Sequence, residues 1–316
     1  MRISHVIPLM VLPLLISCAT RPGPGEVRTV QSPPATAPVS NGTVGLSFAG
    51  TFGPSPEIRA PRGISFGVDG TLYICDRGKS SVIRLDENGK IISVFDSFTN
   101  RTERLYAPID VCSSSGIEVY AVDQTRPRIL RFDRNLLNGY TIYRAGDADM
   151  SLFGSFNGIA YDAVSGDMYI TDRDSGTVIR VDMLGTSVRT FGGFGSQKKS
   201  LEKPAGLDVD RDGILYVADT SAGAVAVIEN FSRFTYIGTD VLEAPQDATV
   251  LPGGYIAVAD RSGIVILSRS GEAAATAGFN TTPAMTPYSC AYRDGRLYVS
   301  DTASASILVF EITLPQ

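Results

Sequence analysis

Tryptophan is absent from this chain of 316 residues, and histidine occurs once, at His5. Histidine is the usual general acid or base and a frequent zinc ligand, so a chain with a single His near its start offers little for those chemistries. Basic residues are not in excess either, since 28 Lys and Arg stand against 33 Asp and Glu, a net charge of −5. Proteins that bind the phosphate backbone normally carry a basic excess, and we therefore exclude nucleic acid as a partner.

Long hydrophobic runs are also lacking. After Arg2, the apolar stretch 6–16 is too short to span a membrane and is typical of the core of a signal peptide. It ends in Leu15-Ile16-Ser17-Cys18. This ending resembles the lipobox of bacterial lipoproteins, in which the Cys thiol is acylated and becomes the new N-terminus. The resemblance implies a signal peptide over 1–17 and a lipid on Cys18, whereas an ordinary signal peptide with a chance Cys is the alternative.

Segment 18–42 contains five prolines among small polar residues and has no apolar periodicity. Such a composition predicts an extended tether rather than a folded element. Ala19 replaces the Asp that retains lipoproteins of this family in the inner membrane. We therefore expect a protein of the bacterial cell envelope, lipid-anchored to a membrane, at the periplasmic face or in the outer membrane.

One phrase recurs along the rest of the chain, as in GILYVADT at 213–220 and GRLYVSDT at 295–302. Six such phrases end in an Asp: Asp76, Asp123, Asp172, Asp219, Asp260 and Asp301. The spacings of 47, 49, 47, 41 and 41 residues are typical of propeller blades. Because the six Asp residues occur once per blade at a strand end, we expect their carboxylates to accept backbone N–H groups rather than to catalyse.

Each copy reads as four strands, with Asp-Gly turns such as Asp69-Gly70 and Asp294-Gly295 predicting type I′ hairpins. The last copy lacks a fourth strand, but VGLSFAGTFG at 44–53 resembles the fourth-strand phrase VRTFGGFG at 188–195. We therefore predict an all-β fold, a six-bladed β-propeller of four-stranded blades over 43–316. Its ring is closed by an N-terminal strand supplied to the last blade.

Two phrases, Pro204-Ala205-Gly206-Leu207 and the stretch 212–219, resemble the NHL repeat. That resemblance implies the propeller fold and leaves the function open, because propellers serve as enzymes and as binding scaffolds. Asp208 to Asp219 also matches a calcium-loop pattern, but it lies on a strand, a turn and a strand, so its side chains should not converge.

Arginines cluster where the loops of several blades meet one rim of the ring. The predicted partner-binding residues are Arg62, Arg77, Arg126, Arg128, Arg173 and Arg261. They predict a basic rim on an acidic protein, suited to a protein or an anionic envelope partner. The alternative, that each Arg pairs with a neighbouring Asp, stays open at this point.

Asp110 and Asp247 stand where other blades carry Gly63, Gly158 or Gly206. Blades 2 and 5 lie opposite each other in a ring of six, so both carboxylates should face one channel. With Asn157 in blade 3, they would offer oxygen ligands suited to Ca²⁺ or Mg²⁺.

We therefore favour a monomeric, membrane-anchored envelope lipoprotein whose propeller is a non-catalytic binding scaffold without a cofactor. The alternative is a metal-dependent hydrolase that resembles the gluconolactonase and regucalcin propellers. Those enzymes hold a divalent metal in the channel on carboxylates and Asn, without a His ligand.

Overall fold

The computed structural model describes residues 43–96, 103–144, 154–182, 188–193, 201–261, 263–278 and 285–315. These residues form twenty-four strands in six antiparallel four-stranded sheets. The helix described is one 3₁₀ turn, Pro252–Gly254. Within the described ranges, no helix is long and apolar enough to cross a membrane. The predicted signal peptide, the lipidation site Cys18 and the tether to residue 42 lie outside the described residues.

The strands follow the chain order blade by blade, except that β1 (Gly45–Phe52) belongs to the last blade. Blade 1 contains β2 (Pro61–Phe66), β3 (Leu72–Asp76), β4 (Ser81–Leu85) and β5 (Ile91–Asp96). Blade 2 contains β6 (Pro108–Ser113), β7 (Glu118–Asp123), β8 (Arg128–Asp133) and β9 (Tyr140–Arg144). Blade 3 contains β10 (Phe156–Tyr161), β11 (Met168–Asp172), β12 (Thr177–Val181) and β13 (Val188–Gly192).

Blade 4 contains β14 (Pro204–Val209), β15 (Leu215–Asp219), β16 (Ala224–Glu229) and β17 (Arg233–Ile237). Blade 5 contains β18 (Asp247–Val250), β19 (Ile256–Asp260), β20 (Gly263–Leu267) and β21 (Ala273–Ala277). Blade 6 contains β22 (Pro287–Arg293), β23 (Arg296–Asp301) and β24 (Ser306–Thr313).

The N-terminal strand completes blade 6. β1 pairs with β24 from Gly45 opposite Thr313 to Phe52 opposite Ile307. The first strands of all six blades contact one another in a closed ring, with β22 of blade 6 against β2 of blade 1. The predicted six-bladed propeller and its closure by an N-terminal strand are therefore confirmed, and the closure leaves β24 without an unpaired edge.

The core lies between neighbouring blades, because the two middle strands of each blade are covered on both faces. All five residues of β3 are buried, whereas β21 at the outside of blade 5 contains exposed and half-buried residues and no buried one. One cluster joins Tyr73 of blade 1 to Phe132 of blade 2. The three cysteines of the described ranges, Cys75, Cys112 and Cys290, are buried and free.

The six repeated Asp residues tie the loops to the blades, as the sequence indicated. Each is at most 3% exposed. Asp219 accepts the N–H groups of Glu202 and Lys203 at 2.8 Å each, and Asp76 accepts those of Arg59 and Ala60 at 2.7 and 3.0 Å. These donors lie in the loop that precedes the first strand, so each carboxylate fixes the entry into its own blade.

The Asp-Gly turns differ from the type I′ prediction in two blades. In blade 6, Asp294 and Gly295 both have positive φ, 48° and 79°, as type I′ requires. In blades 1 and 4 the positive φ falls on Gly70 and Gly213, 83° and 75°, and not on the preceding Asp. These two turns are therefore one residue longer than a type I′ turn. In each, a tight turn is followed by a Gly in the left-handed conformation.

Candidate functional site

The first strands of the blades line a central channel. Asp110 of blade 2 and Asp247 of blade 5 border the same cavity, which has a volume of about 240 Å³. The lining extends to Phe66, Ser113 and Tyr161, the last residues of their strands. The cavity therefore lies toward the end of the ring where the first hairpin turns stand, which we call the turn face. The opposite end, where the six repeated Asp residues stand, is the loop face.

A third carboxylate, Asp208 of blade 4, lines the cavity as well. The sequence reasoning missed it, because Asp208 was considered only within a calcium-loop pattern. A usable indication was present: Asp208 follows Gly206 by two residues, so the alternation of a strand places both on the channel side. The corresponding residues of the other blades carry no charge; they are Ser65, Cys112, Ala160, Thr249 and Ala291.

The channel carboxylates bridge neighbouring blades. Asp110 accepts the N–H of Val111 at 2.9 Å and, with its other oxygen, the N–H of Ile159 in blade 3 at 2.8 Å. Asp208 does the same with its own following residue, at 2.8 Å, and with Val250 in blade 5, at 2.9 Å. Each carboxylate thus satisfies an N–H of the adjacent inner strand and links two blades at the channel wall.

Asp247 forms the most extensive of these bridges. One oxygen accepts the N–H of Ala248 at 2.9 Å. The other accepts the hydroxyl of Ser289 at 2.7 Å and the N–H of Cys290 at 3.0 Å, both in blade 6. Every oxygen of the three channel carboxylates therefore already accepts a hydrogen bond. These bonds account for the position of the carboxylates without a bound ligand.

Burial raises the pKa of each channel carboxyl group. It raises the pKa of Asp208 to about 6. It also raises the pKa of Asp110, where the charge of Asp247 adds to the effect, and that of Asp247 to about 7, where Asp208 adds to it. Hydrogen bonds from backbone N–H groups oppose these shifts without cancelling them. The cavity therefore holds carboxyl groups that gain or lose protons near neutral pH.

Asn157 does not join the two carboxylates predicted to share a metal with it. Its side chain is buried, its amide oxygen accepts a hydrogen bond from Gln124 at 3.2 Å, and its amide nitrogen donates to the carbonyl of Pro204 at 3.4 Å. In the part of the chain that the structure describes, no three His, Cys, Asp or Glu residues are grouped to hold a metal ion. The donor set therefore fits a divalent metal poorly.

Tyr288, in the first strand of blade 6, lies near both the channel carboxylates and two of the rim arginines. The guanidinium of Arg62 lies over its ring, 4.3 Å from the centroid. Burial raises the pKa of the Tyr288 phenol, the charges of Asp110 and Asp247 raise it further, and those of Arg62 and Arg173 lower it. The phenol is thus influenced by the charges of two channel carboxylates and of two arginines, from blades 1 and 3.

One predicted rim residue, Arg128, does not belong to the surface. It is 4% exposed and forms ion pairs with Glu103 at 2.7 Å and Asp123 at 3.3 Å. Its position as the first residue of β8 turns it inward, where it ties a loop to the blade. Inclusion of Arg128 in the rim was therefore wrong.

The other rim arginines remain accessible. Arg77, Arg126 and Arg261 are exposed, and Arg62 and Arg173 are half-buried. None of the five forms an ion pair with another described residue, although Arg126 stacks on Tyr106 at 4.1 Å. Among the described residues, an ion pair with acidic side chains is therefore seen for Arg128 and not for the other five predicted rim arginines.

No protein-family model matches the chain, and no curated protein matches it in sequence. The NHL-repeat resemblance thus stays a prediction from the sequence.

Solved structures are similar in fold. A streptogramin B lyase has a TM-score of 0.61 at 15% identity, covering 87% of this chain and 88% of its own. The virginiamycin B lyase from Staphylococcus aureus has a TM-score of 0.58 at 17% identity, covering 86% and 89%. A gluconolactonase from Xanthomonas campestris has a TM-score of 0.65 at 14% identity, covering 89% and 99%. At these identities the likeness shows the fold alone: the chain is a six-bladed propeller similar to these enzymes.

Proposed function

We propose that the propeller is a non-catalytic binding scaffold whose rim arginines hold a protein or an anionic ligand of the cell envelope. The observation that carries this proposal is the set of five rim arginines without an ion pair among the described residues. Burial lowers the pKa of Arg62, and the nearby charge of Arg77 lowers it further. Such crowded cations gain stability when an anion binds between them.

The lack of a His in the propeller favours a scaffold over a lyase that depends on His. One similar structure is a virginiamycin B lyase described as catalytically inactive after a His-to-Ala substitution. The single His of this chain, His5, falls in the predicted signal peptide. The channel carboxylates are occupied as bridges between blades. A lyase mechanism that depends on His therefore has no candidate residue in the propeller.

The scaffold would be held at a membrane by a lipid on Cys18. The experiment that tests the anchor is metabolic labelling with palmitate of the wild type and of Cys18→Ala. Loss of label and of membrane association in the variant supports the anchor. Equal labelling of both proteins contradicts it.

Capture from solubilised envelopes tests the binding function. The variant Arg77→Gln/Arg173→Gln/Arg261→Gln removes three rim charges on three blades. The matched control Arg211→Gln/Arg233→Gln/Arg269→Gln removes three charges from exposed positions at the turn face. We expect the rim variant alone to lose partners that wild type also loses when salt is added. Identical capture by all three proteins would remove the rim from the proposal.

A metal-dependent hydrolase of gluconolactonase type is the second candidate, because Asp110 and Asp247 face one cavity in a fold similar to a gluconolactonase. Bound Ca²⁺ would raise the melting temperature of chelator-treated protein, since a ligand that binds the folded state stabilises it. The variant Asp110→Asn/Asp247→Asn should then abolish the rise. The absence of any rise in the wild type would exclude this candidate.

A further inference from the structure

A second, larger cavity lies beside the channel cavity, with which it shares Phe66, and on the face opposite the arginine rim. It is a groove of about 640 Å³ between blade 6 and blade 1, on the turn face. Its walls include three half-buried aromatic residues, Phe52, Phe66 and Tyr298. The ring centroids of Phe66 and Tyr298 are 4.9 Å apart, and those of Phe52 and Tyr298 are 5.9 Å apart. The volume is in the range of sites that take small organic ligands, about 300–1,000 Å³.

Tyr298 in this groove can be compared with the residues at the same position of the other blades. Tyr298 is the Tyr of the phrase GRLYVSD, and four other blades carry a Tyr at the same position. Those four are buried, with exposures of 1–6%; they are Tyr73, Tyr120, Tyr169 and Tyr216. Tyr298 alone of the five is not fully buried. The side chains that cover the equivalent Tyr in the other four blades therefore have no full counterpart over Tyr298, between blades 6 and 1.

For two of these Tyr residues the cover includes an apolar side chain from the next blade. Leu136, in the turn after β8, is 3% exposed and packs in one cluster with Tyr73. Phe231, in the turn after β16, stacks at 6.1 Å on Tyr169. Next to Tyr298, the corresponding turn is 86–90, Asp-Glu-Asn-Gly-Lys, which has no apolar residue. This turn offers polar side chains where the turns of blades 2 and 4 offer Leu136 and Phe231, and Tyr298 beside it stays partly exposed.

Several polar groups of the groove are available to a ligand. No hydrogen bond from another described residue reaches the phenol oxygen of Tyr298, the carboxylate of Glu87 or the amide group of Asn88. The opposite wall carries Arg293, which donates to the carbonyl of Gly67 at 3.0 Å and lies 5.6 Å from the Phe66 ring. Donors and acceptors therefore surround an aromatic floor.

We propose that this groove binds an uncharged saccharide. The rings of this floor are tilted against Tyr298 by 40° and 79°, so a single ring would stack on the C–H face of a pyranose. The polar walls fit its hydroxyl groups, each of which donates and accepts. A purely apolar ligand would leave the walls unpaired. An anion would meet Asp86 and Glu87, and a cation would meet Arg293 and Arg296, all of which line the groove. A neutral polyol pairs with both signs of charge.

Saturation-transfer NMR on the full-length protein tests this proposal, with cellotriose, maltotriose and triacetylchitotriose as the probes. We expect transfer to the ring C–H protons of at least one trisaccharide, with a Kd obtained by titration. Tyr298→Ala removes part of the floor, and Asn88→Phe introduces a ring at the turn position that Phe231 occupies in blade 4. The positions correspond because Gly89 and Ser232, the next residues, each donate to the carbonyl three residues back.

Each of these two variants should weaken the Kd by roughly tenfold, about 1.4 kcal/mol, or more. The matched controls are Ser270→Phe, at the same turn position in blade 5, and Glu272→Gln, both at exposed residues. They should leave the Kd unchanged, and unchanged melting temperatures should show that all variants are folded. Absence of transfer from all three probes at about 10 mM, or a Kd that neither groove variant alters, would overturn the proposal. Because the arginine rim lies on the other face, loss of either site leaves the other testable.

Discussion

A Cβ atom added to Gly63 would lie 2.0 Å from the carboxylate oxygen Oδ1 of Asp110. The same relationship recurs across the ring, where a Cβ on Gly206 would lie 2.1 Å from Oδ1 of Asp247. The Gly of one blade therefore makes room for the Asp of the next blade. This pairing explains why Gly and Asp share one position of the repeat and why each Asp follows a Gly-bearing blade.

Gly63→Ala should lower the free energy of unfolding by about 1–3 kcal/mol, because the added methyl group displaces the Asp110 carboxylate from its two N–H donors. Urea unfolding measures the loss. Gly50→Ala is the matched control, since no heavy atom lies within 4 Å of a Cβ at that residue. It should change the stability by less than about 0.5 kcal/mol. Similar losses in both variants would contradict the close Gly–Asp contact.

The stability should fall as the pH rises from about 5 to about 8. A carboxyl group with a folded-state pKa above its unfolded value of about 3.9 contributes stability below that value and loses it as the pH rises through the folded pKa. Burial places the pKa of Asp208 at about 6 and that of Asp247 at about 7. Melting temperatures across this range measure the effect, and Asp208→Asn should reduce the slope.

Asp69→Asn is the control for this pH dependence. Burial opposes ionisation of Asp69, but hydrogen bonds from Thr71 and the charge of Arg84 lower its pKa overall. Its stabilising effect is therefore present above its unfolded pKa and is lost only at lower pH. Asp69→Asn should keep the wild-type dependence of melting temperature on pH between about pH 5 and 8. A dependence reduced as much as in Asp208→Asn would contradict its assignment to the channel carboxyl groups.

Deletion of residues 43–53 should strongly destabilise the protein, because it removes β1 and leaves the hydrogen-bonding groups of β24 unpaired. We expect the melting temperature to fall by roughly 10 °C or more, since about 1 kcal/mol corresponds to several degrees in a domain of this size. Deletion of 20–41, the predicted tether, is the control and should have little effect. Equal melting temperatures for the two truncations would refute the closure of the ring by β1.

The sequence predicted the fold well because every blade repeats the same hydrogen-bonding groups. The Asp represented by Asp219 recurs in all six copies with the same role, so each copy supports the same prediction of a blade. The location of Asp110 and Asp247 on opposite sides of the channel was likewise predictable, because it follows from the order of the blades alone. The inward turn of Arg128 was not, since it depends on Glu103, which comes from a loop outside the repeat pattern.

The groove at Tyr298 was beyond the reach of the sequence for a related reason. A single Tyr in GRLYVSD looks like the other four. Its exposure depends on what the neighbouring blade places over it, as Leu136 packs with Tyr73 and Phe231 stacks on Tyr169. Such contacts between blades can be identified only in the assembled ring. Differences in these contacts make the surfaces of the blades differ in what they can bind.

Binding of a defined polyanion by the arginine rim is the most direct test of the proposed scaffold. Calorimetric titration with dextran sulfate would compare the wild type with Arg77→Gln/Arg173→Gln/Arg261→Gln and with Arg211→Gln/Arg233→Gln/Arg269→Gln. The account predicts a Kd weakened roughly tenfold or more, and a smaller dependence on salt, in the rim variant alone. Wild-type affinity in the rim variant, or an equal loss in both variants, would contradict it.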